Sequence, residues 1–341
     1  MKIDVALLTQ DLAEAGAEAR RIEELGYDGA FSFEGPHDPF FPLLLAAEHT
    51  EKLELQTAIA VAFARNPMLL ANIGYDLQKF SKGRFTLGLG SQIRPHIEKR
   101  FSQPWSKPAE RMRELVLAIR AIWRCWHEGE KLDFRGEFYN HTLMTPFFNP
   151  GPNPYGPPRI FVAGVGPRMT EAAAEVGDGF FVHPFHTAEF LRKATLPLLE
   201  RGVARSGRSL EDLEISCPVM VATGSNEEEL EAARNAIKTQ IAFYASTPAY
   251  RVVLDHHGWG ELQPELNRLS KQGRWPEMAG LVDDRILEAI AVCGEPAEIA
   301  GAVRARCEGI ADRVSLVAPY AADAARWAEI ARSLRSAERK K

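Results

Sequence analysis

Ser81-Lys82-Gly83-Arg84-Phe85-Thr86-Leu87-Gly88-Leu89-Gly90-Ser91-Gln92 decides the fold. It reads as a helix end, a buried strand and a glycine-rich exit. Gly83 suits the left-handed residue that closes a helix, with Lys79 and Lys82 favourable near the negative end. Residues 85–89 form a short apolar run, the length of one parallel strand. Gly88 and Gly90 let another group approach the backbone closely. They stand at the carboxyl end of the strand, where α/β folds bind ligands.

The same strand–loop–helix unit recurs on both sides of this stretch. Strands are expected over residues 2–8, 29–33, 53–61, 84–89, 159–163, 179–182, 213–221 and 314–317. Helical patterns follow most of them. Asp11 is a cap for a helix that Gly26 closes, and Asn66-Pro67 opens another. Eight strands alternating with helices predict a (β/α)8 barrel. The alternative, an open doubly wound sheet, would show fewer strands and an early G-x-G-x-x-G turn. The first turn, Leu8 to Asp11, has no glycine. The expected organisation is one barrel domain over residues 1–341. Residues 246–286 break the rhythm and read as an insertion over the barrel mouth. The basic tail Arg339-Lys340-Lys341 reads as a solvated end.

The chain has 341 residues, 45% of them hydrophobic and 26% charged, which fits a globular protein with a large core. A net charge of −5 argues against a nucleic-acid or anionic-membrane partner. Cys125, Cys217, Cys293 and Cys307 form no C-x-x-C pair, so neither a zinc site nor a redox motif is signalled. Sparse cysteines fit a reducing cytoplasm. Asp4 interrupts what would have to be an apolar signal region. The longest apolar stretches, such as residues 40–47, are too short to span a bilayer.

Five motifs in order resemble the luciferase-like monooxygenase superfamily, and within it the branch that uses the deazaflavin coenzyme F420. They are Glu34-Gly35-Pro36-His37-Asp38-Pro39-Phe40 after the second strand and Ser81-Lys82-Gly83-Arg84-Phe85 with Leu87-Gly88-Leu89-Gly90. Trp126 with Gly136-Glu137-Phe138-Tyr139 follows. Then come Ala163-Gly164-Val165-Gly166-Pro167-Arg168 with Ala174 and Gly177-Asp178-Gly179, and Cys293-Gly294-Glu295-Pro296-Ala297-Glu298-Ile299. Better-known F420 members place an acidic residue directly before a histidine. Here Gly35-Pro36 separates Glu34 from His37.

The resemblance implies a coenzyme that exchanges hydride at a tricyclic ring, while the protein supplies position and electrostatics. It implies a non-proline cis peptide near Thr57-Ala58-Ile59-Ala60, whose small side chains would bed the ring. Gly164, Val165, Gly166 and Arg168 are the phosphate cradle expected from a glycine-rich turn that opens a helix. Gly90, Ser91 and Gln92 form a second candidate cradle. His96 and Arg100 are expected to touch the coenzyme or its acidic tail. For proton transfer the candidates are His37, whose neighbour Asp38 would raise its pKa, and His183 at the end of the sixth strand. Glu34 would bond the ring edge or pair with a neighbouring base.

His256-His257 suggests metal only superficially, since adjacent histidines point different ways and no third ligand has the right spacing. Trp259 and Trp275 read as lid residues. The leading expectation is an F420-dependent oxidoreductase acting on a small, apolar or aromatic organic substrate. The alternatives are an FMN-dependent monooxygenase supplied by a separate reductase, and a catalytically silent flavin-binding barrel. The resemblance also implies a homodimer.

Overall fold

A computed structural model describes residues 1–9, 11–321 and 323–336. The basic tail lies outside the described residues. Eight parallel strands carry the fold: β1 (Lys2–Ala6), β2 (Gly29–Ser32), β3 (Glu54–Thr57), β4 (Phe85–Gly90), β5 (Arg159–Gly164), β6 (Gly179–Val182), β7 (Glu214–Thr223) and β8 (Arg313–Val317). Each pairs with its neighbour in sequence; β8 also pairs with β1, and β6 with β7. The ring is thereby closed, and the fold is a (β/α)8 barrel.

The helices are α1 (Ala15–Glu24), α2 (Phe40–His49), α3 (Pro67–Phe80), α4 (Arg94–Lys99), α5 (Pro108–His127), α6 (Pro167–Val176), α7 (Leu196–Arg205), α8 (Glu227–Ala245), α9 (Arg251–His256), α10 (Leu262–Lys271), α11 (Trp275–Ala279), α12 (Asp284–Ile290), α13 (Pro296–Cys307) and α14 (Ala324–Ser336). Asn66 caps α3 by accepting from Leu69 N–H, and Pro67 fills its first turn.

The chain divides into two compact units. The first comprises Met1–Asp4, Val182–Leu198 and Ile215–Lys341; the second comprises Val5–Phe181 and Leu199–Glu214. In the first, β1 and β8 are joined by a buried ion pair. Arg313 Nε donates to Asp4 Oδ2 at 2.7 Å, and Nη2 donates to Oδ1 at 2.6 Å. Residues 246–286, expected to be an insertion, form short helices. Leu254, Leu266, Leu269, Met278 and Ile286 bury their side chains with Ile237 and Ile241 of α8. A short strand, Ala291–Gly294, continues this segment and pairs with the end of β7.

In the second unit, Gly83 closes α3 with φ +88°, and Lys82 shares the left-handed region at +57°. Arg84 is half-buried. Its guanidinium donates to Ala47 O, Thr50 O, Thr50 Oγ1, Leu53 O and Ser81 O, at 2.8–3.0 Å. Ala47 O, Thr50 O and Leu53 O lie at the end of α2 and the turn into β3, and Ser81 O lies at the end of α3.

One expectation needed correction. The strand expected over 53–61 stops at Thr57 and resumes only as Ala60–Val61, which pairs with β4. The connection after β4 contains the short helix α4. The connection after β6 contains a π-helical stretch at Leu191–Thr195 before α7.

Candidate active site

The site is built at the carboxyl ends of β2, β3, β4 and β5, four neighbours in the ring, all in the second unit. After β3 the Ala58–Ile59 peptide is cis, inside the stretch where one is expected. Thr57 anchors the approach. Its hydroxyl donates to Gly88 O at 2.7 Å and accepts from Gly88 N–H at 2.8 Å.

This contact corrects the reading of the β4 glycines. A Cβ on Gly88 would stand 1.7 Å from Thr57 O, and one on Gly90 would stand 2.8 Å from the Ile59 side chain. What approaches them is the chain's own 57–59 segment rather than a ligand. The second candidate cradle is also internally engaged. Gln92 is left-handed with φ +60°, and its Oε1 accepts from Ile93 N–H at 3.0 Å. Ser91 Oγ donates to Gln92 O at 3.0 Å.

The Gly164–Arg168 turn separates its two glycines by role. A Cβ on Gly164 would meet Thr170 N at 3.1 Å, so this glycine lets the first turn of α6 close on the strand. A Cβ on Gly166 would meet nothing within 4 Å. Gly166 is the N-cap of α6 and Pro167 follows it. The N–H groups of Arg168 and Met169 therefore have no intrahelical acceptor and carry the positive end of the helix dipole. Val165 is half-buried beside them. The Arg168 side chain pairs with Glu110 of α5, so this residue contributes its backbone rather than a free guanidinium.

After β2, Glu34 is bound rather than free. Its N–H donates to Ile59 O at 3.0 Å. Its Oε2 accepts from Val61 N–H at 2.7 Å and from Arg65 Nη1 at 2.5 Å. Asp38 does not serve His37 as expected. Its Oδ1 accepts from Phe40 N–H at 2.8 Å and its Oδ2 from Arg65 Nη2 at 2.9 Å. His37 is exposed. Arg100, just past α4, donates to Gly35 O at 2.5 Å. His96 is exposed on α4. Sequence reading missed Arg65. Its only signal there is that it precedes the Asn66-Pro67 helix start.

His183 belongs to the first unit. Its Nδ1 accepts from Phe185 N–H at 3.1 Å, which leaves the proton on Nε2. The ring lies 4.3 Å from that of Tyr250 and 4.8 Å from that of Tyr244. Burial lowers its pKa to about 4 and raises that of Tyr250 to about 12. A neutral imidazole with one N–H beside two tyrosine rings results. His186 Nδ1 donates to His183 O at 2.9 Å.

The adjacent His256 and His257 rings stand at 83° to each other. His257 stacks on Trp259 and bonds Thr187 Oγ1 at 2.7 Å. Trp275 packs against Phe243. Among the described residues no three His, Cys, Asp or Glu side chains are grouped to hold a metal ion. No described helix is long and apolar enough to cross a membrane.

Residues 2–313 match the family model described as luciferase-like monooxygenase. The chain belongs to that family. It is 59% identical over 314 residues to an uncharacterised protein of Mycobacterium tuberculosis, covering 92% of each chain. It is 31% identical over 228 residues to an F420-dependent glucose-6-phosphate dehydrogenase of Beutenbergia cavernae, covering 62% of this chain and 65% of that one. Among solved structures, the coenzyme F420 dependent tetrahydromethanopterin reductase of Methanopyrus kandleri superposes with a TM-score of 0.80. The identity is 20%, over 100% of this chain and 99% of that one.

Proposed function

We propose that this luciferase-like enzyme is an F420-dependent oxidoreductase that moves hydride between the deazaflavin and a small, apolar or aromatic organic substrate. The observation that carries this reading is the likeness to an F420-dependent dehydrogenase, joined to a mouth whose parts fit the coenzyme. The fit rests on Gly166, where a Cβ would meet open space beside the unsatisfied N–H groups of α6. When bound, F420 would supply the hydride chemistry at its ring.

In this reading residues 57–60 bed the ring, and Gly164–Arg168 takes the phosphate through backbone N–H groups. Arg100 and His96 lie toward an acidic tail. His37, exposed on its loop, gives or takes a proton at the substrate. Glu34 acts through the backbone of Val61 and through Arg65. His183, neutral through burial, donates from Nε2. The reading includes a homodimer, checked by molar mass in solution, and a cytoplasmic location, in keeping with four free cysteines.

The test is a paired fluorescence titration of the protein with F420 and FMN, each oxidised and reduced. Tight F420 binding with weak FMN binding supports the proposal. Selective binding of reduced FMN replaces it with a two-component monooxygenase served by a reductase. Binding of neither leaves a silent barrel.

A further inference from the structure

The loop after β2 is held at both shoulders. On one side Arg65, its side chain only 15% exposed, bridges Glu34 and Asp38. The same guanidinium lies 5.4 Å from the centre of the Phe40 ring, which starts α2. On the other side Arg100 donates to Gly35 O. Between these clamped points stands His37, exposed and with no hydrogen-bond or ion-pair partner among the described residues. The loop's other polar side chains are consumed by the clamp, and the imidazole is not.

We infer that Arg65 is a positioning residue for His37: through Glu34 and Asp38 it fixes the loop that presents the free imidazole at the barrel's carboxyl face. The inference rests on the F420 reading for its kinetic consequence and on the clamp geometry alone for its structural one. A histidine at a loop tip samples many orientations, and a misplacement near 1 Å costs on the order of 100-fold in rate. A planar guanidinium can meet two carboxylates at once, which an ammonium on a flexible stem does not reproduce.

Two measurements test it. The first is hydrogen exchange at the Val61 and Phe40 amides, both of which donate to carboxylates that Arg65 holds. Arg65→Gln is expected to speed exchange at both at least tenfold, with Arg65→Lys intermediate. The second is a double-mutant cycle in kcat for oxidation of reduced F420 with menadione as acceptor. Arg65→Gln is expected to lower kcat about 10- to 100-fold with the F420 dissociation constant changed less than threefold. In a His37→Ala background the same substitution should cost less than twofold.

A full cost that persists without His37 overturns the inference, as does unchanged amide exchange. If the native protein neither binds nor oxidises reduced F420, the proposed function falls. The exchange experiment then decides the clamp by itself. If Arg65→Gln does not fold, Arg65→Lys and Asp38→Asn carry both measurements.

Discussion

Thr57 and Gly88 exchange a reciprocal pair of hydrogen bonds, 2.7 and 2.8 Å long, through one hydroxyl. Both residues are buried. Thr57→Val keeps the shape and removes both bonds, leaving Gly88 N–H and O without that partner. It should cost about 2–3 kcal/mol. Gly88→Ala must push a Cβ into a backbone carbonyl and should cost more than about 4 kcal/mol or abolish folding. Gly90→Ala meets the Ile59 side chain first, which can shift, and should cost less. Urea unfolding of the three variants checks this order, and equal losses for the two glycines would contradict it.

Arg84 serves stability, not the site. Arg84→Met strips five donors from carbonyl and hydroxyl acceptors between α2 and β4. A loss of about 2–4 kcal/mol is expected, with Arg84→Lys recovering little because an ammonium cannot span the acceptors. Coenzyme affinity, measured well below the unfolding transition, should stay within threefold.

Gly164 and Gly166 should part company on substitution. Gly164→Ala presses a Cβ on the backbone of α6 and should lower stability by about 1–3 kcal/mol. Gly166→Asp enters open space, so stability should shift by less than about 1 kcal/mol. It places a carboxylate at the cradle, and F420 affinity should fall at least tenfold. A variant that binds F420 as tightly as the native protein would move the cradle elsewhere.

The buried histidines give stability a defined pH dependence. Burial lowers His183 to about 4 and His186 to about 3. Unfolded, both take up protons near pH 6.5. Below that pH the unfolded chain binds more protons than the folded one, so stability falls as pH drops toward 4. The slope should be on the order of 1 kcal/mol per pH unit for each ring. His186→Gln should flatten the decline in urea midpoint between pH 7 and 5, whatever it costs at pH 7.

Asp4 and Arg313 are almost wholly buried. Asp4→Asn takes the negative charge out of this buried pair and should cost about 3–5 kcal/mol. The double change Asp4→Leu with Arg313→Met should cost less than the single one, because both charges of the buried pair leave together. Calorimetric melting of both variants measures the difference.

The eight-strand rhythm was legible because parallel barrel strands are short apolar runs, and turn residues such as Gly26, Gly83 and Asn66-Pro67 mark the helix ends between them. The cis peptide fell where the family likeness placed it. What sequence could not show was which partner each polar group takes. Glu34 looked free for chemistry, yet Arg65, 31 residues later, claims its carboxylate. Asp38 looked like the partner of its neighbour His37, yet it reaches Arg65 and Phe40 N–H. The glycines of β4 looked like ligand clearances, but the clearance is taken by Thr57 and Ile59. Such pairings are set by strand register across the ring, and local sequence carries no record of them. Residues 246–286 lost the strand–helix rhythm for another reason. Their short helices pack on α8 instead of following a strand.

The partners Asp4 and Arg313 lie 309 positions apart. Synthesis delivers the carboxylate 309 residues before the guanidinium. Until Arg313 is made, the first strand carries a carboxylate without this guanidinium and an edge without β8. Closure of the ring has to wait for the last strand to leave the ribosome. Until that strand is made, β1 has no partner on this side, and the seam of the ring seals only when the two meet.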